Sequence, residues 1–343
     1  MDLLANAPSK DRADLFRETA SRIGLPAALV EKDFWVCWTL KRLFSIDCLS
    51  PHILLKGGTS LSRIFGAIRR FSEDIDLAIS PEMLGFAQSR EVLAAMSRTR
   101  RQSILTDMLI ACRKYVEGEF FELLRKECAA SLDQSAVWQL RTAPSAPISA
   151  VVEFEYPSCL ENAEFLEYVR PIVLLEPGTH SEFIPRGSYA IHPLAADEFP
   201  GMFQAKECAV EAITAERTFW EKATILHAEY HRPAGKPTPP RHSRHYYDVA
   251  ALAGSSIKQA ALADLGLLGR VVQHKSTFYY SAWARYDLAL PGTMRLAPPD
   301  ERIPDLRRDY RSMEAMFFDE PPTLENVISA LSRLEQEINV SAR

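Results

Sequence analysis

Lys56-Gly57-Gly58-Thr59-Ser60-Leu61-Ser62-Arg63, followed closely by Arg70-Phe71-Ser72-Glu73-Asp74-Ile75-Asp76-Leu77, is the stretch whose reading decides the fold. Ile53-Leu54-Leu55, just ahead of it, has the length and apolarity of a short buried strand. After the glycines, Leu61, Ile64, Phe65 and Ile68 recur at i, i+3, i+4 and i+7, which predicts a short helix starting at Thr59 or Ser60. Ile75, Leu77 and Ile79 then alternate with Asp74, Asp76 and Ala78, the period of a half-buried strand, and Pro81 ends it. The unit reads strand, glycine turn, helix, strand.

That order carries chemistry. Two glycines ahead of a helix let the backbone turn tightly and approach a ligand with no Cβ in the way. The first helical amides are unpaired and sit at the positive end of the dipole, which suits a triphosphate, and Thr59 and Ser60 add hydroxyl donors. Asp74 and Asp76 are two apart on a strand, so both carboxylates leave the same face. Such a pair is unfavourable unless a cation lies between, and hard oxygens suit Mg²⁺ or Mn²⁺. Two such ions lower the charge on a triphosphate, activate an attacking hydroxyl and stabilise the departing pyrophosphate. A Gly-Gly-Thr alone is mostly a turn, and an Asp-x-Asp alone is usually a solvated strand face. The Gly-Lys-Ser/Thr ending of a Walker A loop is missing. Order and short separation make the combination specific.

These two stretches resemble the AbiEii/AbiGii (MenT-like) nucleotidyltransferase toxins of the DNA polymerase β-like superfamily, whose pattern is Gly-Gly/Ser, a spacer, then Asp-x-Asp. Glu31-Lys32-Asp33-Phe34 resembles that family's N-terminal helix motif. Thr218-Phe219-Trp220-Glu221-Lys222 and Arg244-His245-Tyr246-Tyr247-Asp248 resemble its later ones, so the likeness touches positions from about 31 to 252. The resemblance implies an enzyme that moves a nucleotide from an NTP, with Mg²⁺ or Mn²⁺, to an acceptor such as the 3′ end of tRNA. It also implies a cognate antitoxin protein and a type IV-like, phage-defence role. By the same resemblance Asp74, Asp76, Lys222 and Asp248 are catalytic. Lys56, Gly57, Gly58, Thr59, Ser60, Arg63, Ser72 and Lys222 bind the nucleotide. Glu153, favoured over Glu155 on the same strand face, joins Asp74 and Asp76 at the metal.

Plainer readings stand beside these. Thr218-x-x-Glu221 has the form of a capping box, which makes Glu221 a cap and puts Lys222 in the first helical turn, where a cation needs an anionic partner. Arg244 and Asp248 are spaced for a helix-surface ion pair. His227, His231, His242 and His245 lack zinc-site spacing and read as surface or loop residues. Arg63, Arg69, Arg70, Arg98, Arg100 and Arg101 offer either a local patch for RNA or ordinary wetted helix faces. The aromatics from His274 to Tyr286 read as helix core.

The rest of the chain frames the motif. With 343 residues, 47% of them hydrophobic and 25% charged, the chain has material for a sizeable core. A net charge of -5 excludes a broad basic face, so any RNA contact must be local. Six scattered cysteines without a CxxC pair read as reduced thiols, and no apolar run approaches the roughly 18 residues of a membrane span, so a cytoplasmic protein is expected. The N-terminus, Met1 to Arg12, also lacks the apolar core of a signal peptide. Helices are predicted before Ser50, from about Arg90 to Glu127, and over most of the chain after Asp197. Strands are predicted at 151–156 and 172–175, a loop from Ser131 to Pro147, and turns around Pro177-Gly178 and Pro185-Arg186-Gly187. The expected fold class is α/β (α+β), a small mixed-sheet core (51–195) between an N-terminal helical segment (1–50) and a larger helical C-terminal region (196–343). Two rival functions remain: nucleotidylation of a protein or small molecule, and a non-catalytic NTP-binding module. The intact Asp-x-Asp argues against the second.

Overall fold

In the computed structural model the expected strand at Ile53 is β1 (Ile53–Lys56), and the alternating acidic stretch is β2 (Asp74–Ile79). The structure describes residues 1–340 except 73, 147, 162–163, 166–168 and 206, so Glu73 and Pro147 lie outside the described residues. Two compact units form, one from Met1–Ile64, Phe71–Ala87 and Ser97–Ile213, the other from Phe65–Arg70, Gln88–Met96 and Thr214–Arg343. No helix of the described residues is long and apolar enough to cross a membrane.

The first unit is a seven-stranded mixed sheet with helices. Beyond β1 and β2 it contains β3 (Gln139–Ala146), β4 (Ser149–Glu155), β5 (Ile172–Gly178), β6 (Arg186–Ile191) and β7 (Cys208–Ile213), in the order β3-β4-β5-β2-β1-β7-β6. β1 lies antiparallel to β2 and parallel to β7, and β2 lies parallel to β5. Alternation sends Ile53, Leu55, Ile75, Leu77, Val152, Phe154, Val173 and Leu175 into one core. Helix Ala27–Phe44 fills that side and is buried continuously from Ala28 to Leu40. Trp35 stacks on Tyr156 at 5.5 Å and Trp38 on Phe154 at 5.7 Å, so the helix is fastened to β4 by large aromatic surfaces. Glu31 and Asp33 are buried on this helix because each meets donors. Glu31 accepts from Ser158 Oγ and the Cys159 amide, both at 2.8 Å, and Asp33 accepts from the Leu194 amide at 2.7 Å and pairs with Arg63 at 2.7 Å. Glu31 and Asp33 of the motif thus anchor the helix to the segments that follow β4 and β6 and to Arg63.

Three strands correct the reading of the sequence. The loop expected from Ser131 to Pro147 contains β3, a polar edge strand that tolerates Pro144 because only one of its sides is paired. The turn expected at Pro185-Arg186-Gly187 is the start of β6, the opposite edge, whereas Pro177-Gly178 ends β5 and the chain bends directly after it, at 179–181. β7, in a stretch expected to be helical, is Cys-Ala-Val-Glu-Ala-Ile, whose alanines mask its strand period. The helix after the glycine turn also differs, running only Gly57–Arg63, with Gly66 at φ +56 following soon after.

The second unit is helical, built on Ala215–Tyr230, Ser243–Ala253, Ser256–Ala263, Leu265–Phe278, Ile303–Arg311 and Leu324–Val340. His227 is fully buried, contrary to a surface role. Its Nδ1 accepts from the Arg295 amide at 3.1 Å, which leaves Nε2 to donate to the Arg285 carbonyl at 2.9 Å, and burial pushes its pKa down to about 4. His245 is also pushed well below the ordinary imidazole value, first by burial and then by Lys222. The aromatic stretch leaves its helix after Phe278, and Tyr279 and Tyr280 are exposed instead of lying in the core.

Candidate active site

Strand register decides what meets the glycine turn. Lys56 of β1 is opposite Asp76 of β2, and Glu176 of β5 is opposite Asp76 on its other side, while Leu174 is opposite Asp74. Partners across a ladder project to one face, so Lys56, Asp76 and Glu176 form one row and Asp74 and Leu174 the next. This is the face of Leu54, Ala78 and Ile213, turned away from helix Ala27–Phe44. Both aspartates are half-buried.

Gly57 sits against that row with φ +76. A Cβ there would lie 2.0 Å from Asp76 Oδ2 and 2.8 Å from its Cγ. Glycine is required twice over, for the left-handed turn and for the carboxylate pressed on its Cα. Thr59 and Ser60 are fully buried and differ from the open phosphate donors expected. Thr59 Oγ1 donates to the Asp74 carbonyl, and Ser60 Oγ donates to the Gly57 carbonyl at 2.9 Å. Their protons are committed to backbone oxygens, so they fix the turn to the entry of β2. Ser72 is half-buried at the same entry, its carbonyl 3.4 Å from Thr59 Oγ1. Arg63 places its guanidinium on buried Asp33, whose charge needs a counter-ion.

Glu153 is not brought to the aspartates. It shares their face, but its register partner is Leu174, so β5 separates it from Asp74 by two strand spacings, about 10 Å. Arg141 instead lies 3.3 Å from Glu153 and 3.5 Å from Glu155. Glu176 is the carboxylate that register sets beside Asp76. The sequence reading stopped one residue short of it, at Leu175. Among the described residues no three of His, Cys, Asp and Glu converge as a metal site. Mg²⁺ commonly takes one or two protein carboxylates and fills its octahedron with water and phosphate oxygens. The donor pair therefore fits an ion shared with a triphosphate.

In the second unit Lys222, Asp248 and Arg70 come together. Arg70 grips Asp248 through Nε at 2.7 Å and a terminal nitrogen at 2.8 Å, and Lys222 Nζ reaches Asp248 Oδ2 at 2.8 Å. Asp248 has no exposed surface, and Arg70 retains 2%. Burial alone would raise the Asp248 carboxyl, but the charges of Arg70 and Lys222 outweigh it and hold the group well below the usual carboxylate range. Asp248 is therefore no surface partner of the kind the Arg244 spacing suggested. The capping box is also displaced, since Thr214 caps this helix and Glu221 pairs with buried Arg217 at 2.9 Å. Lys222 lies in the second helical turn, and its anionic partner is Asp248. The proposed basic patch shrinks likewise. Arg63, Arg69 and Arg70 are each on a carboxylate, and Arg98, Arg100 and Arg101 lie near the start of helix Arg98–Tyr115.

Gly57→Ala is expected to push the Asp76 carboxylate away and to cut turnover about 100-fold, the scale of an ångström-sized misplacement. Gly85→Ala, at φ +86 with nothing within 4 Å of its Cβ, is the control for backbone strain alone. Steady-state rates of the two variants, compared at equal melting behaviour, check this.

Among curated protein sequences none matches this chain. The solved structure of MenT4, a nucleotidyltransferase toxin from Mycobacterium tuberculosis H37Rv, aligns over 95% of this chain and 97% of its own, at 13% identity and a TM-score of 0.42. A model of the family described as "Nucleotidyl transferase AbiEii toxin, Type IV TA system" matches residues 38–333. The strand–glycine turn–strand unit, with its two aspartates, lies inside that span, and the chain belongs to the AbiEii nucleotidyltransferase toxin family.

Proposed function

We propose that the chain transfers a nucleotide from an NTP to the 3′ end of tRNA, and that a cognate antitoxin protein holds this activity in check as part of phage defence. The observation that carries the catalytic part is the Asp76 carboxylate lying against the Cα of Gly57, because it makes one surface of an acidic pair and a bare backbone turn. Asp74 and Asp76 would hold Mg²⁺ or Mn²⁺, which when bound would lower the charge on the triphosphate, favour ionisation of the acceptor hydroxyl and stabilise the departing pyrophosphate.

The chain's own residues supply the rest. Gly57 and Gly58 let phosphate oxygens approach the main chain, and Thr59 and Ser60 keep that turn from yielding. Lys56, beside Asp76 in the ladder, offsets negative charge next to the phosphates. Lys222 is carried as a phosphate contact on the strength of the motif resemblance. The acceptor oxygen attacks the α-phosphorus and the bond to pyrophosphate breaks. The exposed arginines Arg98 and Arg100 favour RNA over a neutral acceptor.

Purified protein incubated with each of four α-labelled NTPs and total RNA or cell extract tests this. Label in tRNA supports the proposal. Label in protein or in a small solute would move the acceptor to the rival class, and no label with any NTP would leave a binding module.

A further inference from the structure

Arg70 belongs to the Arg-Phe-Ser stretch ahead of Asp74, where a basic residue invites a solvent or nucleic-acid role. The structure shows otherwise. Its side chain is 3% exposed, and two of its nitrogens donate one to each oxygen of Asp248. This fork-to-fork geometry fixes carboxylate orientation in a way a single point charge does not. Asp248 is attached at Ser243–Ala253, whereas Lys222 comes from Ala215–Tyr230, so the carboxylate is the bridge between a loop residue and a lysine of a different helix. Oδ2 is shared, bonded to Arg70 at 2.8 Å and to Lys222 Nζ at 2.8 Å.

The loop that presents Arg70 is itself tied down. The Arg69 amide donates to Tyr247 Oη at 3.1 Å, one residue before Asp248, and the Phe318 amide donates to the Arg69 carbonyl at 3.1 Å. Arg70 therefore reaches Asp248 from a backbone already registered on the same helix. Lys222 is the least buried member of the cluster, with 8% of its side chain exposed.

We infer that Arg70 is a positioning residue for the transfer reaction: it locks the Asp248 carboxylate, and through it the Lys222 ammonium. Asp248 is then also a positioning residue, and of the three only Lys222 is available to touch substrate. The inference rests on the proposed enzyme reading for its turnover measurement alone.

A double-mutant cycle tests it. Arg70→Gln and Asp248→Asn are each expected to lower kcat about 100-fold with KM for NTP little changed, and the double variant to lose about 100-fold as well, far from the product of the two. Losses that multiply, or full turnover in Arg70→Gln, would overturn it. A purely structural role predicts a lower melting temperature with normal kcat in the cold, which also overturns it. Should Arg70→Gln not fold, Arg70→Lys keeps the charge without the two-pronged grip and decides in the same way. Independently of activity, the rate at which a small amine reagent modifies Lys222, read by mass spectrometry on the full chain, is expected to rise in Arg70→Lys. An unchanged rate counts against the idea. A wild-type chain that transfers nothing would sink the enzyme reading and leave the positioning claim to the labelling result.

Discussion

Asp76→Asn is expected to abolish transfer of labelled nucleotide, with turnover lower by about 1000-fold, while the chain stays folded. Asparagine keeps the shape that rests on Gly57, and the main chain of residue 76 remains in the ladders to β1 and β5. What it removes is one carboxylate charge from a face that also carries Asp74, Glu176 and Lys56. Asp76 stands between Lys56 and Glu176 in the ladder, so attraction and repulsion offset and stability should hold, while affinity for a divalent ion falls. Stability kept while activity is lost distinguishes a functional carboxylate from a structural one. The checks are label incorporation and a thermal melt on the same preparation. Turnover within tenfold of wild type would remove Asp76 from the chemistry.

Asp248→Ala is expected to cost about 3–5 kcal/mol of stability, since it strands two cations in a buried site. Urea unfolding followed at Trp220, which is fully buried in the same unit, measures it. The pH dependence has a definite sign. The folded carboxyl is held below its unfolded value, so the unfolded chain binds the extra proton as pH drops below the ordinary aspartate pKa of about 3.9. The stabilisation from Asp248 is thus complete above that value and is lost as pH falls toward the depressed one. The gap between wild type and Asp248→Ala should be constant from pH 7 to 5 and shrink under stronger acid. A gap that widened on acidification would contradict the ion cluster.

Much of the β1–β2 pair was legible because its signals are local. Alternation at Ile75, Leu77 and Ile79 and the pair of glycines sit within about 25 residues, and each has one physical meaning there. β3, β6 and β7 were not, because two are polar edges and the third is rich in alanine, so what makes them strands is a neighbour far away in sequence. The same limit explains the residues around the site. Spacing cannot reveal that Glu153 is separated from Asp74 by β5, or that Glu176 falls beside Asp76, until register is known. Arg70, Arg63 and Lys222 were legible as basic residues, but their carboxylate partners at Asp248 and Asp33 depend on tertiary packing, and so did the burial of Thr59 and Ser60.

β1 lies between β2 and β7, with Leu55 paired to Ala212, and this has a consequence for how the protein is made. A ribosome adding about 5–20 residues per second needs on the order of ten seconds or more between emergence of the glycine turn and emergence of the strand that flanks it. Through that interval the nascent toxin holds its full acidic motif on an incomplete sheet. A chain stopped at residue 200 should therefore be inert, and competence should arrive only once the strand Cys208–Ile213 has joined the sheet.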